Sequence, residues 1–399
     1  MEDFDAVIVG GGPVGCRTAE IIASAGFRTC VLEEHDEIGK PVHCAGVVST
    51  RVIDISKFQS SIKNVVHGAN VHTPGGRVLT IRSSDPKAFI IDRAIFDRDM
   101  AKNAVKTGAE LQIATKAAGF SRDNGKIVVN CQQKSESSEI RTKILVGADG
   151  MKGKVAKSFN LPGPRAFLLG FGGETTDVKM EADMVEIFSG SGVAPGFFSW
   201  VIPAGDGNAR IGLCIRKTND EIKNAHYYFK NLLKLDGVTR LGIREDKLVQ
   251  LSSGAIPIGI PKKAVCDNVM LVGDAAAQAK PTSGGGIYTG LRCALHCGFT
   301  AVEALKEGDF SEKSLRRYDR AWRGELGSEL KKGWLIHSAY SKLDDGKLEN
   351  VYDIINKPGV IRIIEREGDL DFASSLSRPL LKEAPALIKF AGPLLKSLF

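Results

Sequence analysis

The chain carries eight cysteines, yet no two stand in C-x-x-C spacing and none is grouped with histidine at zinc-ligand intervals. That pattern excludes a structural zinc site and a cysteine-held iron–sulfur cluster, and it suits a reducing interior. Nowhere do about 18 apolar residues run together, so no membrane span is expected. The opening Met1-Glu2-Asp3-Phe4-Asp5 leads at once into an apolar strand, and no signal peptide is expected either. We expect a cytoplasmic protein, free or peripheral at the inner face of the cell membrane. Low-complexity tracts and internal repeats of fixed period are missing too. Lysine and arginine are scattered rather than massed over the first 300 positions. The net charge of +7 therefore points to acidic small molecules or anionic lipid surfaces and away from nucleic acid. What is present is an ordinary globular composition, 43% hydrophobic and 25% charged, in a chain of 399 residues that exceeds what one core organises.

The most informative segment lies at the start. Ala6–Val9 is an apolar run, followed by Gly10, Gly12, Pro13 and Gly15 in G-x-G-x-x-G spacing and then by a helix-compatible stretch from Cys16 to Ala25. Strand, tight turn and helix in this order suit a pyrophosphate. Gly10 permits the turn, Gly12 lets the backbone approach the ligand, and Gly15 permits close helix–strand packing, while the helix N-terminus attracts the phosphate charge. A second strand, Arg28–Leu32, ends at Glu33, where a ribose-binding carboxylate belongs, with Glu34 as the alternative one residue on. An acid here favours an adenosine without a 2′-phosphate, so FAD or NAD rather than NADP.

Three further segments carry a family resemblance: Asp92-Arg93-Ala94-Ile95-Phe96-Asp97, Val146-Gly147-Ala148-Asp149-Gly150, and Val269 to Ala276 with its Gly273-Asp274-Ala275-Ala276 core. They resemble the D-R-x-x-F-D, G-A-D-G and G-D-A-A elements of flavoproteins related to para-hydroxybenzoate hydroxylase, which implies FAD. On residue type alone, Asp274 is also a good helix N-cap, Asp149 a turn residue and Arg93 a surface ion-pair partner. Pro281 to Ile287, with Gly284, Gly285 and Gly286, opens a helix running past Leu295. Its exposed N–H groups suit negative charge on a flavin ring, which adds Gly285, Gly286 and Ile287 to the candidate cofactor contacts.

A narrower resemblance is to the geranylgeranyl reductase family. It rests on Pro41-Val42-His43-Cys44-Ala45-Gly46, similar to that family's P-x-x-C-x-G element, on Pro195 to Pro203, similar to P-x-x-Y-x-W-x-F-P, and on the glycine-rich loop at 281–287. Phe198 stands where the family has Tyr, and Ile202 where it often has Phe, so position 198 lacks a hydroxyl. The resemblance implies reduction of isolated alkenes in the polyprenyl (geranylgeranyl) chains of archaeal membrane lipids, by flavin hydride transfer plus protonation. Candidate catalytic residues are Cys44, His43, Trp200 and Phe198. Candidate cofactor contacts also include Arg93, Asp149, Gly150, Asp274 and the Cys44-Ala45-Gly46 loop. Phe197 to Ile202 reads either as core or as one wall of an apolar pocket, and Cys293 and Cys297, four apart on one helix, read as packing.

The fold expected is α/β. It comprises a Rossmann-type FAD-binding domain (1–60, 88–160 and 262–308), an inserted α+β substrate domain (61–87 and 161–261) and a C-terminal helical extension (309–399). Residues 222–236 read as a helix and Gly254–Pro261 as a loop returning to the cofactor. In the tail from Leu380 to Phe399, Lys382, Lys389 and Lys396 recur every seven residues. Pro385 and Pro393 favour short helical pieces, packed on the enzyme or laid on a lipid surface. No second dinucleotide fingerprint appears, so the electron donor stays open between NAD(P)H, ferredoxin and another carrier. The rival readings are a flavin monooxygenase or halogenase, a quinone-linked electron-transfer flavoprotein, and a non-enzymatic binding module.

Overall fold

The computed structural model describes residues 2–134, 136–216 and 223–390. The N-terminal fingerprint builds an eight-stranded sheet. Glu2–Val9 pairs in parallel with Thr29–Leu32 on one side and Glu136–Gly147 on the other, and Val269–Leu271 adds beyond the latter. Val7, Ile8 and Leu32 are fully enclosed, so both faces of the parallel sheet are covered. Helix Pro13–Ser24 begins on an extended Gly12 with Pro13 in its first turn, where the missing N–H costs nothing. It packs against Arg93–Lys106 and Ile287–Glu307.

A second sheet of seven strands is drawn from residues 68–82 and 166–258, in the order Leu248–Ile258, Ala166–Thr175, Asn208–Ile215, Phe198–Gly205, Met184–Ser189, Gly68–His72, Val78–Arg82. Along Phe198–Gly205 the side chains alternate. Val201 joins a core with Phe229 and Leu232, whereas Phe198, Trp200 and Ile202 turn to the opposite face, toward the dinucleotide domain. That face carries the site. A three-stranded sheet of Val47–Val48, Ala88–Ile91 and Ile62–Val66 bridges the two.

Two expectations need correction. The single helix over 222–236 is instead Ala225–Leu232, capped by Asn224, followed by a separate turn Asp236–Thr239; position 222 lies outside the described residues. The break lets Gly237 lie against Phe188, where a Cβ would come within 2.8 Å of the ring. Gly254–Ile258 is strand rather than loop, paired along Ala166–Gly170, and only Gly259–Pro261 turns back toward the cofactor domain. Pro257 is accommodated because this strand is the sheet's edge.

Helix Glu312–Tyr340 runs 29 residues with Leu315, Tyr318, Trp322, Leu326 and Leu330 along its buried stripe. Short helices Asp345–Ile355, Pro358–Glu367 and Ser377–Glu383 follow, and the last contains Lys382. Lys396 and Pro393 fall outside the described residues. Among those residues no helix is long and apolar enough to cross a membrane.

Candidate active site

The glycine fingerprint has the geometry its spacing implies. Gly10 sits at φ +111°, and a Cβ there would meet Ala148 O at 2.3 Å; a Cβ on Gly15 would meet Gly10 O at 2.0 Å. Both glycines are therefore demanded by packing between the first turn, the first helix and the Gly147–Gly150 segment. Gly12 differs. Its φ is an unremarkable −71° and a Cβ would meet nothing within 4 Å. Neither backbone strain nor protein packing requires glycine there, and the open space above it, at a helix N-terminus, is where a pyrophosphate belongs.

The two acids after the second strand separate cleanly. Glu33 turns inward, accepting from Gly11 N at 2.8 Å and from His35 N at 2.9 Å. Glu34 pairs with Lys152, which holds its carboxyl below the ordinary range. Of the two, Glu33 is the carboxylate that faces the first glycine turn. Asp149 Oδ2 accepts from Val155 N at 3.0 Å, while its Oδ1 is buried without a partner among the described residues. Burial raises its carboxyl above the usual range despite that bond. Beside it, a Cβ on Gly150 would again point into open space. A buried, unsatisfied acceptor next to two open glycines fits a hydroxylated ligand such as the FAD adenosine diphosphate moiety.

Asp274 follows the strand Val269–Leu271 and stands against Gly286, whose Cβ would lie 3.0 Å from Oδ1. Burial pushes its carboxyl up to about 6, countered by the Arg93 guanidinium. Arg93 is not a surface charge: it forks onto Asp97 through two bonds of 2.8 Å and lies against Cys44. Burial disfavours its charge, but Asp97 and Cys44 outweigh that and raise its pKa. Helix Ile287–Glu307 starts at Gly286 with no side-chain cap, leaving first-turn N–H groups for a ligand.

The Cys44-Ala45-Gly46 loop is held from the second sheet by a residue the motifs did not reveal. Arg210 bonds Ala45 O at 3.0 Å, Ile91 O at 2.9 Å and Glu174 Oε1 at 3.0 Å. Gly46 exists to admit it, since a Cβ there would meet the guanidinium at 2.1 Å. Cys44 is half-buried, with its Sγ 3.3 Å from Gly46 N. His43 is exposed and faces the ribose end. Partial burial, then the positive fields of His35 and Lys152, hold its imidazole below the ordinary value. The two loop candidates therefore look toward different parts of the cleft.

Phe198 stacks on Phe197 at 4.3 Å and meets Trp200 edge-on at 6.1 Å. Trp200 lies flat over Gly212, packing on one side against the cluster of Val66, Ile90 and Ile202, on which Ala45 and Val47 also pack, and on the other against that of Phe197, Leu168 and Ile258. The aromatic strand thus spans from the cysteine loop to the glycine loop, where Ile256, Leu168 and Phe197 surround Gly284.

Two more elements escaped the motif reading. Lys280, at the base of the glycine loop, bonds Asp371 Oδ1 and Leu370 O, each at 2.7 Å, and both side chains are buried. His337 is 2% exposed, faces Phe197, and has an unpartnered Nε2. Burial, then Arg216, pushes its imidazole down to about 4. The helical period that places Leu326 and Leu330 on the buried stripe also places His337 there, a signal available in the sequence. Cys293 and Cys297 are enclosed in the main core, and burial raises both thiols. A concavity of about 680 Å³ beside Lys262, Arg316 and Arg320 includes none of these site residues.

Residues 3–323 match the family model for an FAD binding domain. A digeranylgeranylglycerophospholipid reductase 1 of Methanothermobacter thermautotrophicus is 30% identical over 88% of this chain and 90% of its own length. The chain belongs to the geranylgeranyl reductase family of FAD-binding proteins. An uncharacterised Methanocaldococcus jannaschii protein is 32% identical over 95% of both chains. Among solved structures, a geranylgeranyl bacteriochlorophyll reductase-like protein from Thermoplasma acidophilum superposes with a TM-score of 0.87 at 23% identity, over 100% of this chain and 99% of that one. As a member of this family the protein is an FAD-dependent oxidoreductase. The open glycines, the unpaired Asp149 Oδ1 and the uncapped helix at Gly286 fit that cofactor.

Proposed function

We propose that this protein saturates the C=C bonds of geranylgeranyl chains in an archaeal membrane-lipid precursor. The observation carrying the reading is the aromatic side of this strand, where half-buried Phe198 covers buried Phe197 and meets half-buried Trp200 edge-on, an apolar wall between the cysteine loop and the glycine loop. The names of relatives such as the Methanothermobacter reductase support the substrate class.

When bound, FAD supplies the hydride. The chain's own task is to align the alkene, exclude water and provide a proton. We assign the proton to Cys44, because its half-buried thiol lies against Arg93 in the loop beside the aromatic strand, whereas His43 is exposed beside His35 and Lys152. Phe198 and Trp200 hold the chain and carry no suitable acid. Glu33, Asp149 and Gly12 would hold the adenosine diphosphate part of the cofactor, and Asp274 would accept from a ribityl hydroxyl. The electron donor is an external carrier such as NAD(P)H or ferredoxin, and a lipid substrate brings the enzyme to the inner face of the cell membrane as a peripheral protein.

Anaerobic incubation of the purified protein with dithionite and a digeranylgeranyl glycerophospholipid tests this directly. Lipid masses rising in steps of two hydrogens are expected. Unchanged lipid with reduced flavin would overturn the assignment and move a monooxygenase or halogenase reading ahead, which the similarity of Phe198-Ser199-Trp200-Val201-Ile202-Pro203 to the halogenase W-x-W-x-I-P element favours.

A further inference from the structure

We propose that Arg165 and Arg216, held against Trp334, form a subsite for the phosphate-bearing head of the lipid whose chain lies on the aromatic face; this rests on the function proposed above.

Half-buried Phe198 and Trp200 pack against one buried cluster of Leu168, Phe197 and Ile258, and so does half-buried Trp334 on the long C-terminal helix. There its character changes. The Arg216 guanidinium stands 5.1 Å from the Trp334 ring centroid and that of Arg165 stands 5.7 Å away. Neither makes a carboxylate ion pair among the described residues. Arg216 bonds Ser341 Oγ at 2.8 Å, and Arg165 is exposed. Burial lowers the Arg216 pKa.

The local backbone makes room for these groups. Gly196 (φ +73°) would place a Cβ 3.0 Å from Arg216 Cβ, and Gly259 (φ +81°) would place one 2.8 Å from both Arg165 Cβ and the Trp334 ring. Left-handed glycines at both positions let two arginines and a tryptophan pack against main chain, which a solvated surface charge does not require. An independent pointer is His337, one helical turn from Trp334, whose buried Nε2 has no partner among the described residues. Apolar wall, unsatisfied imidazole and two forked cations in sequence match an amphiphile with an anionic end.

The test compares digeranylgeranylglycerol with its phosphate-bearing counterpart as substrates for the FAD-loaded wild type and for Arg216→Gln and Arg165→Gln, in detergent, with dithionite as reductant. The wild type should prefer the phosphorylated lipid through KM, and each variant should reduce that preference about tenfold, the effect of one lost charge-assisted bond. Arg165 is exposed, so its variant keeps the test sound if Arg216→Gln fails to fold. Equal use of both lipids by the wild type, or an undiminished preference in the variants, would overturn the subsite while leaving the reductase reading intact. Turnover of neither lipid would sink the reductase reading itself. Sub-millimolar competition by inorganic phosphate would reassign the pair to a free anion.

Discussion

Asp274 is a case in which a site residue works against the stability of its own domain. Its carboxyl ordinarily titrates near 3.8, and burial pushes it up to about 6 despite Arg93. Two units of difference correspond to roughly 3 kcal/mol. Between these two values the native chain binds more protons than the unfolded chain, so this group's contribution to stability falls as pH rises from about 4 to 6 and is flat above. Asp274→Asn removes the charge and keeps the shape. The apoprotein of the variant should be more stable than wild type by up to about 3 kcal/mol at pH 7.5, with the gap closing toward pH 4. FAD binding should move the other way. A ribityl hydroxyl donating to a carboxylate contributes about 1.5–3 kcal/mol, so the variant should bind FAD about ten- to a hundredfold more weakly. Denaturant midpoints of both apoproteins across pH, with flavin titration by fluorescence quenching, read both effects. An apo variant no more stable than wild type at pH 7.5, or one holding FAD as tightly, would refute the reasoning.

Gly12→Leu should fold normally, since the position is neither strained nor packed, yet purify colourless; a yellow variant with full flavin content would contradict the cradle assignment. Cys44→Ala should keep its flavin and its reduction by dithionite while alkene reduction falls about 10²–10⁴-fold, and an unaffected turnover would move the proton donor elsewhere. Asp371→Asn should destabilise the protein by about 3–5 kcal/mol, because Lys280 is left buried without its anion. Calorimetry checks this against Lys280→Met/Asp371→Asn, which should recover much of the loss.

Local geometry is what the sequence made legible. Gly10, Gly15 and Glu33 act within about thirty residues of chain, through one turn and one strand pair, so their spacing alone carried their placement. Which of Glu33 and Glu34 turns toward the glycine turn needed the structure, because Glu34 is held away by Lys152 far along the chain. Arg210, Asp371 and Arg165 were invisible for the same reason: each acts across a separation that no motif spans, and isolated Arg and Asp residues look like solvated surface in a sequence. The strand over Gly254–Ile258 was misread because glycine and proline signal a loop, and only the neighbouring strand Ala166–Thr175 overrides them. His337 shows the opposite failing, since its helical period was readable and its polar type obscured the meaning.

The Lys280–Asp371 pair also bears on when the cofactor site comes into being. The lysine lies at the root of the glycine loop and its anion is 91 residues further on. A ribosome adding about 5–20 residues per second needs roughly 5–20 s to cover that distance. During this interval the strands of the dinucleotide sheet have all emerged while Lys280 still lacks its partner. Maturation of the cofactor site therefore waits on a segment made well after the sheet, and a nascent chain stalled before Asp371 leaves the glycine loop unfastened beneath strands that have already emerged.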